Sequence, residues 1–278
     1  MEEQTIHKNT TNQNNNHTDC KSHEKNNNIG KNIISIHEES IIAPFKQKLV
    51  FETNIRGVTG YCAINETQFS DLQTQGKCIH GDIINTYLSL LVRSKIYSLK
   101  TVDTTFLTKL KNCGWHEAQK YFTSNNNQFS NWETARLIFI PIFVGDEKLG
   151  HWLNLIVDKI EDKNVLVYIA DSLGKDNEFN NLKASFQNTP IAPENKNIHW
   201  IFLEGIKQEP ISMDCGVFTM LIFAKFLFMK AQQKEKFCFQ NLTKIQYKNI
   251  SAKEFGKQGR RDIALAIKEK KLIFLVNH

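Results

Sequence analysis

With 278 residues, 41% of them apolar and 23% charged, the chain has ordinary globular composition and enough length for one substantial core. Its net charge of +6 is spread without a recurring Lys/Arg block along one face. That pattern excludes a dedicated nucleic-acid surface and implies a solvated, mildly basic exterior. Six cysteines, at 20, 62, 78, 113, 215 and 238, make neither a CxxC pair nor a dense framework. They are expected to be reduced thiols of a cytoplasmic or nuclear compartment rather than staples of a secreted domain.

Residues 1–45 stand apart from the rest. Nine asparagines fall between Asn9 and Asn32, and four of the nine histidines (7, 17, 23 and 37) lie here too. So polar a stretch buries too little apolar area to offset its ordering entropy, and a disordered leader is predicted. His17, Cys20 and His23 are too loosely placed for a metal site, and no metal or organic cofactor is expected. The polar N-terminus lacks the apolar core of a signal peptide. A single folded domain is expected over 46–278.

Asp82–Ser94 is predicted to be a helix, because Ile83, Ile84, Tyr87, Leu88 and Leu91 share one stripe. Two shorter amphipathic segments, Thr104–Lys111 and Trp115–Phe122, follow. Leu137–Val144 (LIFIPIFV) reads as a strand, with Pro141 at an exposed or irregular ladder position. Trp152–Val157 and Val165–Ala170, joined by the charged turn DKIEDKN, predict an antiparallel hairpin. His199–Leu203 is a further strand. Val217–Met229 is apolar on nearly every face and predicts a helix buried at the centre of the domain. Broken by Lys225, it is too short to span a bilayer. Arg261–Lys271 closes the chain as an amphipathic helix. Together these make an α+β fold, a small central sheet packed on a buried helix.

Three chemically capable residues sit where elements end. His151 opens one hairpin strand, Asp171 closes the other, and Cys215 opens the buried helix. Antiparallel pairing puts the start of the first strand beside the end of the second, so imidazole and carboxylate become neighbours. Free N–H groups and the positive end of a helix dipole stabilise a thiolate, and a nearby imidazolium adds to that. This is the triad logic of thiol catalysis: nucleophile, proton shuttle, orienter. Gln208, seven residues before the cysteine, is placed to offer an amide donor to an oxyanion. The neighbouring Glu209 would repel one.

From about Ile79 to Leu275 the chain resembles the ubiquitin-like-protein protease family, the SENP/Ulp class with its viral and bacterial-effector relatives. The resemblance rests on the order His, Asp, Cys and on HWLNLIVD, ADSLG and a Gln leading to DCGVF. GDIINTYLSLL, TTFLTKL, LIFIPI and RRDIALAI add to it. It implies a papain-like protease domain over 46–278, with His151, Asp171 and Cys215 as the triad and Gln208 as oxyanion donor. Trp152 is implied to wall a channel narrow enough for a Gly-Gly tail.

The implied activity is hydrolysis after the C-terminal Gly-Gly of ubiquitin or a ubiquitin-like modifier. The Asn-, Lys- and Ile-rich composition suits a bacterial effector secreted into a host cell. Cys78-Ile79-His80-Gly81 departs from the family's Trp-Leu-x-Asp and removes an acid that would face a basic residue of the modifier. Ubiquitin is therefore the favoured partner, followed by SUMO and NEDD8. Two alternatives are acetyl transfer on the same scaffold and a non-catalytic module that binds ubiquitin-like proteins. Asp171 and His-Trp speak against the first, and an intact triad against the second.

Overall fold

The computed structural model describes residues 49–53, 62–95, 98–121, 134–145, 150–159, 164–174, 177–187, 189–191, 196–232 and 250–272. The predicted leader, including His17, Cys20 and His23, lies outside the described residues.

The described residues begin with an antiparallel pair, β1 (Leu49–Thr53) and β2 (Cys62–Asn65), leading into α1 (Glu66–Gln73). A capping box starts α1: Asn65 Oδ1 accepts from Gln68 N at 2.8 Å, and Gln68 Oε1 accepts from Asn65 N at 3.0 Å. After α2 (Gly81–Arg93) come the short strand β3 (Leu99–Thr101) and α3 (Phe106–Ala118). Gly114, at φ 75°, kinks α3, which is why the sequence reads as two amphipathic segments rather than one.

The central sheet has the order β3-β4-β5-β6-β7, with β4 spanning Leu137–Val144, β5 His151–Lys159, β6 Asn164–Ala170 and β7 Asn197–Phe202. β4, β5 and β6 pair antiparallel, as the hairpin pattern predicts, while β3 runs parallel to β4 and β7 parallel to β6. Pro141 lies beyond Phe139, the last residue of β4 paired with β3. There β4 has a sheet partner on one side only, where a missing N–H is tolerated.

Both faces of the sheet are buried, and alternation along the strands divides their side chains into two cores. Leu137, Phe139, Trp152, Ile156, Leu166 and Tyr168 face a cluster shared with α2, α5 (Cys215–Gln232) and α6 (Ala252–Glu269). Ile138, Ile140, Leu153, Leu155, Val165 and Val167 face a second cluster with α3 and α4 (Asn177–Phe186). This accounts for strands that read as nearly continuous apolar runs.

The 18 residues of α5 are by length and composition apolar enough to cross a membrane, a longer run than the sequence reading delimits. In the fold, 72% of them are buried. The rings of Phe139 and Phe223 stack at 4.5 Å, and Tyr168 meets Phe226 edge-on at 5.0 Å. Two buried polar ties hold the helix on the sheet: Asn154 Nδ2, in β5, donates to Thr219 O at 2.8 Å, and Lys230 Nζ, near the end of α5, pairs with Asp158 Oδ2 of β5 at 2.5 Å. Together the two fix how far α5 slides along β5, and so where Cys215 stands relative to His151.

Candidate active site

The last residues paired between β5 and β6 are Asn154 and Ala170. His151 lies three residues back along one strand and Asp171 one residue on along the other, so the two meet at the same sheet end. His151 Nε2 and Asp171 Oδ1 are 2.7 Å apart. The same oxygen accepts from Leu173 N at 2.7 Å, and Gly174 N donates to Asp171 O at 2.9 Å. Asp171 thus closes its own turn with the carboxylate that orients the histidine, and little side-chain freedom remains to it.

β7, parallel to β6, delivers the chain to this end again. Leu203 N donates to Ile169 O at 2.8 Å and Gln208 N to Ser172 O at 2.7 Å, so residues 203–208 track the exit of β6 before turning into α5. Asp214 O accepts from Phe218 N at 2.9 Å as the first bond of that helix. Cys215 is partly exposed at the helix start, with its thiol free.

Burial pulls the His151 imidazole toward its neutral form, and this is the largest single influence on it. Hydrogen bonds to Asp171 and to Cys215, with the negative charges of both, together outweigh that and push its pKa up to about 9. With Nε2 held by Asp171, Nδ1 is the nitrogen left for the sulfur. A histidine so placed carries a proton at neutral pH beside a sulfur at a helix N-terminus.

Gln208 is buried at 7% exposure, and its Oε1 accepts from Ser172 Oγ at 2.7 Å. Glu209, the neighbour weighed against it, is exposed. Trp152 is 8% exposed. Its ring lies 4.8 Å from that of Phe143, and its Nε1 donates to Ile79 O at 3.2 Å. Ile79 also lies against Gly216, the residue after Cys215. A Cβ on Gly216 would come within 2.6 Å of Ile79 Cβ, so only glycine fits there. The departing segment Cys78–Gly81 therefore touches both Trp152 and the start of α5.

One group at the site escaped the sequence reading. Arg260, in α6, is 2% exposed, and all of its N–H groups are engaged. Nε donates to Asp214 Oδ1 at 2.7 Å; Nη1 donates to Asp71 O and Leu72 O, and Nη2 to Lys77 O and Met213 O. Gly256 makes room for this, since a Cβ there would sit 2.5 Å from Asp214 Oδ2. The only hint in the sequence is an arginine pair opening an otherwise apolar helix stripe, which reads equally well as a solvated face.

Residues 78–259, well over half of the chain, match the family model of the Ulp1 protease family, C-terminal catalytic domain. The chain belongs to that family.

Two solved structures share the fold of this Ulp1-family domain. One is a de-sumoylating protease, 16% identical with a TM-score of 0.51, covering 79% of this chain and 89% of its own. The other is the Chaetomium thermophilum Ulp1-like SUMO protease catalytic domain, 13% identical with a TM-score of 0.53, covering 84% and 88%. The Xanthomonas campestris effector protein XopD bound to ubiquitin is 14% identical, with a TM-score of 0.45 over 66% of this chain and 90% of its own. No curated protein matches the sequence significantly. His151, Asp171, Gln208 and Cys215 fall inside the family match, which stops one residue short of Arg260.

Proposed function

We propose that this Ulp1-family domain is a thiol protease that hydrolyses the peptide or isopeptide bond after the C-terminal Gly-Gly of ubiquitin or a ubiquitin-like modifier. The observation that carries this reading is the line Asp171–His151–Cys215, with His151 bonded on one side at 2.7 Å and sharing a hydrogen bond with the sulfur on the other. The Cys215 thiolate attacks the glycine carbonyl carbon, and charge develops on its oxygen, where the Gln208 amide donates. His151, protonated at neutral pH, gives its proton to the leaving amine as the C–N bond breaks. Water then attacks the thioester carbonyl and gives one proton to His151. The C–S bond breaks, the modifier leaves as a carboxylate with its proton lost to solvent, and the Cys215 thiolate and protonated His151 are restored. Trp152 walls the channel for the tail, where side chains beyond hydrogen would collide.

Ubiquitin is the first choice of modifier, ahead of SUMO and NEDD8. Gly81 supplies no acid before α2, and Asp82, one position on, already accepts from Gln68 Nε2 at 2.9 Å. The free thiols at Cys78, Cys113 and Cys215 suit a reducing compartment, cytoplasmic or nuclear. Action inside a host cell as a bacterial effector is the role the composition supports.

Electrophilic probes built on ubiquitin, SUMO and NEDD8, presented at equal concentration, decide the substrate. Labelling of Cys215 by the ubiquitin probe first is expected, and labelling by SUMO alone would overturn the choice of modifier but not the protease. Cys215→Ala is expected to abolish turnover, since losing the nucleophile of such a unit costs roughly a million-fold. Wild-type turnover in that variant would refute the mechanism.

A further inference from the structure

A carboxamide has two ends, and only one of them stabilises an oxyanion. Turned one way, Gln208 offers two N–H groups to the developing charge. Turned the other way, its carbonyl oxygen repels that charge. The side chain alone does not choose, because the two ends have nearly the same shape.

We propose that Ser172 makes the choice, as a positioning residue that holds the Gln208 carbonyl oxygen away from the reacting centre; this rests on the hydrolase reading above. Ser172 grips Gln208 at two points. Its backbone oxygen accepts from Gln208 N at 2.7 Å, which fixes where the residue starts. Its hydroxyl donates to Gln208 Oε1 at 2.7 Å, which fixes how the amide is turned. Both residues are buried, Ser172 at 3% exposure and Gln208 at 7%, so water competes poorly for either bond. With Oε1 occupied, the N–H groups of Nε2 are what the side chain has left to offer.

Ser172 also directly follows Asp171 in the chain. One turn after β6 therefore sets two catalytic geometries: the carboxylate that orients His151, and the hydroxyl that orients the oxyanion donor. The arrangement places both parts of the site on one short, hydrogen-bonded stretch of backbone, which preserves their relative position.

The test separates the oxyanion from the thiol. Ser172→Ala, Gln208→Ala and the double variant are assayed for kcat and KM on a fluorogenic modifier substrate. Each is also alkylated with iodoacetamide, and Cys215 modification is followed by peptide mass spectrometry. Alkylation is a displacement at saturated carbon and forms no oxyanion, so it reports on Cys215 and His151 alone.

Ser172→Ala is expected to lower kcat about tenfold, the scale of one lost orienting hydrogen bond, with KM unchanged. Gln208→Ala is expected to lower it about a hundredfold or more. The double variant should match Gln208→Ala, because a clamp has nothing to hold once its amide is gone. All three should alkylate Cys215 at the wild-type rate. Losses that multiply in the double variant, wild-type kcat in Ser172→Ala, or alkylation that slows along with turnover would each overturn the clamp while leaving Cys215-dependent hydrolysis standing. A wild-type protein that cleaves no modifier substrate would bring down the hydrolase reading and the clamp together.

Discussion

His151 is pulled in opposite directions, and the outcome is measurable. Burial favours the neutral ring, while Asp171 and Cys215 favour the charged one and prevail, holding the pKa near about 9. The alkaline limb of kcat/KM should therefore fall near that value, where the proton for the leaving amine is lost. Asp171→Asn removes a cause that raises the pKa and keeps the burial that lowers it, so the limb should move to lower pH. A limb that stays in place in Asp171→Asn would show that the carboxylate does not act on the imidazole. The same shift bears on stability. The folded-state value lies above the ordinary 6.5, so the contribution is complete below about pH 6.5 and is lost as pH rises through about 9. Urea midpoints at about pH 6 and about pH 10 should differ more for the wild type than for Asp171→Asn. His151, Asp171 and Cys215 could be singled out in the sequence because each ends an element whose own pattern is strong. Ser172 could not: a serine in a turn reads as turn chemistry, and only its 2.7 Å bond to Gln208 gives it another meaning.

At the scale of elements, Arg260 joins parts that the chain keeps far apart. Its donors reach the carbonyls of residues 71, 72, 77 and 213 and the carboxylate of Asp214, just before α5. Breaking a buried ion pair by removing one partner leaves the other charge uncompensated and costs about 3–5 kcal/mol. Arg260→Met should lose at least that in urea unfolding, since four carbonyl bonds go with it. Adding Asp214→Asn should recover part of the loss by removing the stranded charge. No recovery in the double variant would assign the cost to the carbonyls alone. The strong elements, α5 and the β5–β6 hairpin, were readable because their apolar runs are long or are bounded by a charged turn. β1, β2, β3, α1 and α4 were not. They are short, and α4 buries little beyond Leu182 and Phe186, too few anchors to establish a period.

Across the whole molecule, stability should be graded by how many layers cover an element. β4, β5 and β6 lie between two hydrophobic clusters and α5 lies inside one, whereas β1 and β2 form a separate two-stranded sheet. Amide hydrogens of β4–β6 and α5 should exchange slowest, at rates set by global unfolding, and those of β1–β2 fastest. Slow exchange in β1–β2 would contradict this gradient. The sequence by itself determined the local matters: that the strongest segments, β4 to β6 and α5, are strands and a helix, that β5 and β6 pair antiparallel, and that His151, Asp171 and Cys215 stand at element ends. These follow from the length, residue type and bounding turns of local apolar runs, which need no knowledge of distant chain. Tertiary structure alone decided the rest: the parallel placement of β3 and β7, the seating of α5 on β5 through Asn154 and Lys230, the hub of Arg260, and the turn of the Gln208 amide. Each depends on a polar group meeting a partner remote in sequence, from 33 residues for Asn164 and Asn197 across β6 and β7 to 189 for Arg260 and Asp71. Such pairings leave no periodic trace, because a single directional bond constrains two positions and says nothing about the residues between them.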